Sequence, residues 1–396
     1  MRRRALRVLF VVQGEGRGHM TQALALGEML RARGHEVVRC VAGASRRRDV
    51  PAFFRRRVGC PVETVESPSF VASASGAIRP VATLLRTLRR ARRYGPSLDR
   101  LEAVLDAAEP DVVVNFYEGL MGAFGLLRVS DVPVVAVGHQ FMARLPGYPH
   151  LPRQPMQRTA MEAYTRLVGA GAAVRLALSF YDAPDAPEHG IRVVPPLLRR
   201  SLFALADRPS DGSILVYLME PALLSPLADW SARRPDVRLH VFTDAAPHDV
   251  SPALTVHGLS GTAFLERMAV ARGVVCTAGF ESVSEAMWLG KPALMVPVPN
   301  HYEQRCNAVD AASVGAGIAA SVLDLDPLLE RLDAGPEADP TGLAAPTSRF
   351  RAWVAQAEGR VVGAIEEAAG LPPLLPGDGG DGLGAEAVRL DVGRLQ

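Results

Sequence analysis

The sequence has one lysine, Lys291, so almost all of its positive charge is arginine. The formal net charge is nevertheless only +2, because acidic residues nearly balance the arginines. An arginine bias without a net positive field reflects composition rather than a polyanion-binding surface, and nucleic acid is not expected as a partner. Cysteine is scarce too: Cys40, Cys60, Cys276 and Cys306 lie far apart with no CxxC pair. That spacing excludes a zinc ribbon or a disulfide framework and predicts reduced thiols. No apolar run approaches the ~18 residues that span a bilayer. The N-terminal stretch MRRRALRVLFVV has too short an apolar run for a signal peptide and no small-residue cleavage site. A soluble, cytoplasmic protein is expected.

What is present is a globular composition, 48% hydrophobic and 22% charged, in a chain of 396 residues, enough for two cores. Short β-branched runs at 8–12, 37–41, 112–115 and 134–137 alternate with helical patterns at 21–33 and 98–108. The alternation resumes with runs at 214–218, 239–242, 274–277 and 293–298 and a helical pattern at 282–289. Strands apolar on both faces and separated by helices predict parallel sheets covered on both sides. The break lies in PPLLRRSLFALADRPSDGS, which has prolines and a turn cluster. The expected fold class is α/β: two doubly wound, Rossmann-like domains facing across a cleft, with ligands outside the strand C-termini. Residues 1–200 form the first domain, 208–345 the second and 346–370 a closing helix, with 371–396 expected to be mobile.

The first apolar run leads into GEGRGHM, residues 14–20. A dinucleotide fingerprint needs G-x-G-x-x-G and an acidic residue about 20 positions on. Here Gly14, Gly16 and Gly18 are spaced G-x-G-x-G, the sixth position is His19, and the second strand ends Val38-Arg39-Cys40 without a carboxylate. No Lys-Ser or Lys-Thr follows, so a P-loop also fails. What remains is a glycine turn presenting an imidazole at the cleft, where it is either a general base near neutral pH or a packing group at the helix start.

The stretch VVCTAGFESVSEAMWLGKPALMVPVPNHYEQRCNA, residues 274–308, carries the most information. A strand, a tight turn at Gly279 and a helix starting near Ser282 would leave unpaired N–H groups suited to a diphosphate. Glu285, a turn in, could accept both hydroxyls of a ribose. Ser282-Val283-Ser284-Glu285 equally fits a capping box that only satisfies the helix end. Glu303 and Gln304 sit in a polar stretch suited to several hydroxyls of one sugar.

These motifs together resemble the GT-B glycosyltransferases. The resemblance is to the branch containing the UDP-N-acetylglucosamine transferase of peptidoglycan lipid synthesis and the UDP-glucuronosyltransferases. It rests on the G-x-G-x-G-H opening and the block G-F-x-S-x-S-E-A…G-K-P…P…E-Q-x-x-N-A. It implies that His19 deprotonates the acceptor hydroxyl, with Glu118 of NFYEG near that base and His139 as a second candidate. Gly16, Gly18 and Gln140 would line the acceptor side. Gly279, Phe280 and Ser282 would meet the diphosphate, Glu285 the ribose, Glu303 and Gln304 the sugar, and Phe264 and Leu265 the nucleobase. Two departures stand out. Tyr217-Leu218-Met219-Glu220-Pro221 replaces the Gly/Ser-rich turn of many relatives, and Glu118 is a methylene longer than their aspartate.

The implied reaction is an inverting, metal-independent transfer of a hexose-type sugar from a nucleotide diphosphate, most simply UDP, to the hydroxyl of a lipid or small metabolite. No cofactor is expected, and Asp324-Leu325-Asp326 is read as a helix start before Pro327 rather than a metal site. The basic segment from Arg79 to Arg93 combines Val81, Leu84, Leu85 and Leu88 with arginines. It is either a solvated helix face or a peripheral contact with the inner face of a membrane. The rival activities are a non-hydrolysing UDP-sugar epimerase and a non-catalytic nucleotide-sugar-binding protein.

Overall fold

A computed structural model describes residues 4–14, 16–44, 50–67, 80–151, 153–218, 223–244, 248–335 and 346–372, without the side chains of 80–93 and 249. The Met219-Glu220-Pro221 turn, Arg79, the side chains that follow it to Arg93, and residues 373–396 of the expected tail therefore lie outside the described residues.

The first half contains β1 (Arg7–Gln13), α1 (Arg17–Ala32), β2 (Glu36–Ala44), α2 (Ala52–Arg57), β3 (Val62–Glu66), α3 (Pro80–Ala108), β4 (Val112–Phe116) and α4 (Gly119–Leu127). It ends with β5 (Val134–Gly138), α5 (Pro155–Val168), β6 (Val174–Leu178), β7 (Ile191–Val194) and the short linker helix α6 (Arg200–Phe203). The seven strands form one parallel sheet in the order β3-β2-β1-β4-β5-β6-β7. β1 shows why the run is apolar throughout. Val8, Phe10 and Val12 pack with Leu24, Leu26 and Leu30 of α1, while Leu9 and Val11 pack with Leu101, Val104 and Leu105 of α3. A strand covered by helices on both faces leaves no side for polar residues.

The second half holds β8 (Ile214–Tyr217), α7 (Leu224–Arg233), β9 (Leu239–Thr243), β10 (His248–Ser251), β11 (Leu254–Gly258), α8 (Gly261–Val270), β12 (Gly273–Cys276) and α9 (Phe280–Trp288). β13 (Ala293–Met295), α10 (Tyr302–Ser313), β14 (Gly317–Ala319), α11 (Asp326–Ala334), α12 (Pro346–Val354) and α13 (Gly363–Ala368) follow. The sheet order is β10-β11-β9-β8-β12-β13-β14, parallel except for the edge strand β10. The chain is thus two doubly wound α/β domains.

Several elements differ in extent from the sequence expectation. The run 293–298 is a strand only over Ala293–Met295, because Pro297 has no N–H to offer a ladder. The helix expected at 21–33 begins at Arg17, which places Gly18 and His19 inside its first turn. The single closing helix is instead α12, a π-helical turn at Glu358–Val362 and α13. These last elements cross back to the first domain. Trp353 donates its indole N–H to the Ser179 carbonyl (3.0 Å), and Arg192 pairs bidentately with Glu367 at 2.6 and 2.7 Å. His35 donates Nε2–H to Glu366 at 3.0 Å while its Nδ1 accepts the Leu6 N–H. One buried apolar cluster runs from β1 and α1 through α13 and α12 into α8 and α9, so the domains share a core beside the cleft. Among the described residues no helix is long and apolar enough to cross a membrane.

Candidate active site

In each sheet the strand order reverses between two central strands, β1 and β4 in one and β8 and β12 in the other. Ligands of open α/β sheets bind in the crevice at that reversal. His19 follows β1, Tyr117 and Glu118 follow β4, and the turn Thr277-Ala278-Gly279 follows β12. The two crevices hold most of the residues singled out in the sequence.

The glycine turn exists because β1 must pass close to β2. A Cβ on Gly14 would lie 1.9 Å from the Gly43 carbonyl oxygen. Gly16 is the extended residue capping α1, and a Cβ there would meet nothing within 4 Å. A Cβ on Gly18 would sit 3.3 Å from Cγ of Glu281, which belongs to the other domain, so the backbone is bare where the domains come together. His19, one position on, is half-buried. Its Nδ1–H donates to Gln22 Oε1 at 3.2 Å, and its ring stacks on Tyr117 at 5.6 Å. Burial lowers its pKa from 6.5 to about 4, against a smaller opposing effect of the Gln22 bond. The imidazole is therefore neutral near pH 7, with its lone pair on Nε2.

NFYEG builds the platform for that ring. The Asn115 side chain accepts from the Glu118 N–H (2.9 Å) and donates to the Glu118 and Val168 carbonyls at 3.1 and 3.2 Å. Those bonds hold Tyr117 at φ +55°, a left-handed conformation that costs a non-glycine residue roughly 1–2 kcal/mol. Strain of that kind is retained where the surroundings over-determine it, commonly at functional sites. Glu118 was expected beside the base. It caps α4 by accepting the Leu120 N–H at 3.0 Å, accepts the Ser67 hydroxyl, and fills the space beside Gly43, whereas His19 bonds to Gln22.

His139 and Gln140 begin the 3-10 turn His139–Arg144 after β5. His139 is 1% exposed, donates Nδ1–H to the Leu178 carbonyl at 2.7 Å and stacks face to face on Phe280 at 4.2 Å. Burial lowers its pKa to about 4 as well. Gln140 reaches across the cleft and donates to Glu303 at 3.0 Å.

On the far side, α9 starts at Phe280 with Gly279 as its cap residue, two positions before the expected start. The capping-box geometry for Ser282 and Glu285 therefore does not form. Ser282 donates to the Gly279 carbonyl at 3.1 Å, and Glu285 lies in the second turn. Ala278, at φ +58°, is pinned by Asn307, which donates to its carbonyl at 3.3 Å. The first N–H groups of α9 have no partners within the helix and, with the positive dipole end, make a seat that would suit an anion. Phe280 turns its ring into the domain joint, against His139 and Phe180, and brings only its backbone to that seat.

Glu285 is 2% exposed and paired with Arg199 of the interdomain linker, whose Nε and Nη2 both reach Oε1, the former at 2.8 Å. Glu303 lies in the first turn of α10, and burial raises its pKa to about 7. Gln304 accepts the Val298 N–H at 2.9 Å and so shapes the Pro-rich loop ahead of α10. Phe264 and Leu265, expected at the nucleobase, are packed in the core, with Phe264 between Tyr217 and Phe242 at 5.2 and 5.4 Å.

Glu281 was not singled out in the sequence. It accepts the Gln22 amide at 2.6 Å across the cleft, and burial together with the neighbouring Glu285 raises its pKa to about 8. Gln22, Arg199 and Asn307 were likewise missed. Gln22 had a local signal, one helical turn after His19, and Asn307 is the asparagine of the E-Q-x-x-N-A block; Arg199 had none. Among the described residues no three or more His, Cys, Asp or Glu side chains converge to hold a metal. Asp324 accepts the Asp326 N–H, and Asp326 pairs with Arg234 at 3.0 Å.

A protein-family model described as glycosyl transferase family 1 matches residues 6–332. The UDP-N-acetylglucosamine–N-acetylmuramyl-(pentapeptide) pyrophosphoryl-undecaprenol N-acetylglucosamine transferase of Methylobacterium nodulans is 28% identical over 89% of this chain and 92% of that protein. An uncharacterized glycosyltransferase of Methanosarcina acetivorans is 30% identical over a shorter match, 34% of this chain and 32% of that protein. Among solved structures, the spinosyn rhamnosyltransferase SpnG complexed with thymidine diphosphate superposes with a TM-score of 0.59 at 18% identity, over 91% of this chain and all of that one. The fold, the paired crevices and the family match agree: the chain is a glycosyltransferase and belongs to glycosyl transferase family 1.

Proposed function

We propose that the chain transfers a hexose-type sugar from a UDP-sugar to an acceptor hydroxyl, with inversion at the anomeric carbon and without a metal ion. The observation that carries the proposal is the neutral imidazole of His19, its Nδ1–H tied to Gln22, held across the cleft from the start of α9. Nε2 takes the acceptor's proton as the acceptor oxygen attacks the anomeric carbon. The bond to the diphosphate breaks on the opposite face, and the departing charge is met by the N–H groups of α9. Glu285 has both Arg199 bonds on Oε1, and Oε2 accepts a ribose hydroxyl. Glu303 takes a hydroxyl of the sugar.

UDP is favoured over other nucleotides by the Methylobacterium relative, named for a UDP-N-acetylglucosamine donor; the thymidine diphosphate in the SpnG structure makes dTDP the comparison to run. The undecaprenol-linked acceptor in that relative's name supports a lipid acceptor. The test is calorimetric titration with UDP, dTDP and GDP in EDTA, followed by NMR of the anomeric configuration of the product. Micromolar UDP binding and an inverted product support the proposal. Binding that requires a divalent cation, or a retained configuration, overturns it.

A further inference from the structure

Among the described residues no carboxylate bonds directly to the His19 ring, yet the ring is not loose. Gln22 is 3% exposed, and both ends of its amide are engaged: Oε1 accepts His19 Nδ1–H at 3.2 Å, and Nε2 donates to Glu281 Oε1 at 2.6 Å. A carboxamide has one accepting and one donating end, so this arrangement has a direction. With Glu281 accepting through an unprotonated oxygen, reversing the amide would set the Gln22 oxygen against that oxygen and lose the bond between the domains. The ring is held on its other side by Tyr117, and the bare backbone of Gly18 allows Glu281 to come this close.

We propose that Gln22 is the positioning residue of the base, fixing the Nδ1–H tautomer and the aim of His19, and that Glu281 of the second domain fixes Gln22, so that the base is set only when the two domains are together. The inference rests on His19 being the base. It adds that a neutral amide stands where a carboxylate would ordinarily orient a catalytic histidine, and that the orienting bond is made by the donor domain. Glu281 occupies the second position of α9, the helix whose start receives the diphosphate, so occupancy of the donor site and orientation of the base act through the same side chain. The charged groups around this chain are Glu285 and Arg199 beside Glu281. Burial and Glu285 push the Glu281 carboxyl up, while the Gln22 bond and Arg199 pull it back toward the ionised form that accepts from Gln22.

The experiment pairs steady-state kinetics with the 15N shifts of the His19 ring nitrogens in the full-length protein, using UDP as the donor-site probe. Gln22→Leu is expected to lower kcat roughly 10- to 100-fold while the donor KM moves less than about 3-fold, since misaimed catalytic groups cost rate rather than uniform binding. Its His19 ring should shift from a single Nδ1–H form to a tautomer mixture. Glu281→Ala should give a smaller loss of the same kind, recovered by Glu281→Gln, which keeps an accepting oxygen. Gln22→Glu, placing a carboxylate on Nδ1–H, should move the acid limb of kcat upward by about one pH unit or more. Unchanged ring shifts in Gln22→Leu, or in Glu281→Ala should the former not fold, overturn the proposal whatever the turnover. Full activity in His19→Ala would instead remove the underlying assignment of the base, and the ring shifts would still report whether Gln22 orients that histidine.

Discussion

Two histidines follow strand ends in the first domain, and both are driven to a pKa of about 4 by burial. His19 is half-buried, is held through Nδ1 by a side chain, and lies one residue from Gly18, where the Glu281 side chain of the second domain comes close. His139 is held through Nδ1 by a backbone carbonyl and sandwiched by Phe280, with Phe180 and Tyr148 around it. A depressed pKa therefore does not choose between the two candidates for the base. Access and the kind of partner do: the joint takes one ring, and the cleft presents the other.

The largest expected effect breaks that pair apart. His19→Ala should lower turnover at least ~100-fold with little change in UDP affinity or melting temperature. His139→Ala should do the reverse, lowering stability by roughly 3 kcal/mol through the emptied aromatic joint while the folded fraction still turns over. Urea denaturation alongside initial rates would decide, and an active His19→Ala beside a stable, inactive His139→Ala would exchange the roles. Next in size is Glu285→Gln, expected to weaken UDP binding about 10-fold or more and to lower stability by breaking a buried ion pair. Lost stability with unchanged calorimetric affinity would make Glu285 an anchor for Arg199 alone.

The pH profile comes third. With His19 at about 4, the acid limb of kcat/KM should fall near pH 4, well below the ordinary histidine value near 6.5. At the alkaline end, Glu303 and Glu281 titrate at about 7 and about 8, above their unfolded values. The folded state then binds more protons, so their stabilising effect is complete below about pH 4 and lost as pH rises through 7 to 8. The urea midpoint should drop over that window, and Glu281→Gln should flatten the drop. The smallest effect belongs to Glu118→Gln: loss of about 1 kcal/mol from the weakened cap and turnover within ~5-fold of wild type. A loss matching that of His19→Ala would support the expected role of Glu118 near the base.

The architecture was readable because the central strands are short, apolar on both faces and bounded by turns, as at β1 and β4. Strands at or near the edges, such as β3, β11 and β14, mix polar with apolar residues or span only a few positions, and periodicity does not detect them. The site was readable where chemistry follows a strand end directly, as with His19 and Gly279. What escaped was pairing over distance. Arg199 meets Glu285 across 86 positions and Gln22 meets Glu281 across 259, separations that no local pattern encodes. Glu118 shows the converse: a carboxylate in a suggestive place is used by the nearest open helix end, two residues away.

The return of α13 to the first domain has a consequence for how the protein is made. α13 packs beside β4 and β5, and Glu366 completes a buried bond with His35. The first sheet is finished at Val194, but part of its cover emerges from the ribosome about 170 residues later, a wait of roughly 10 to 35 seconds at ordinary synthesis rates. Through that interval the nascent first domain presents uncovered apolar surface. A stop codon after residue 345 should therefore leave a first domain that is retained by chaperones, although its own seven strands are all present.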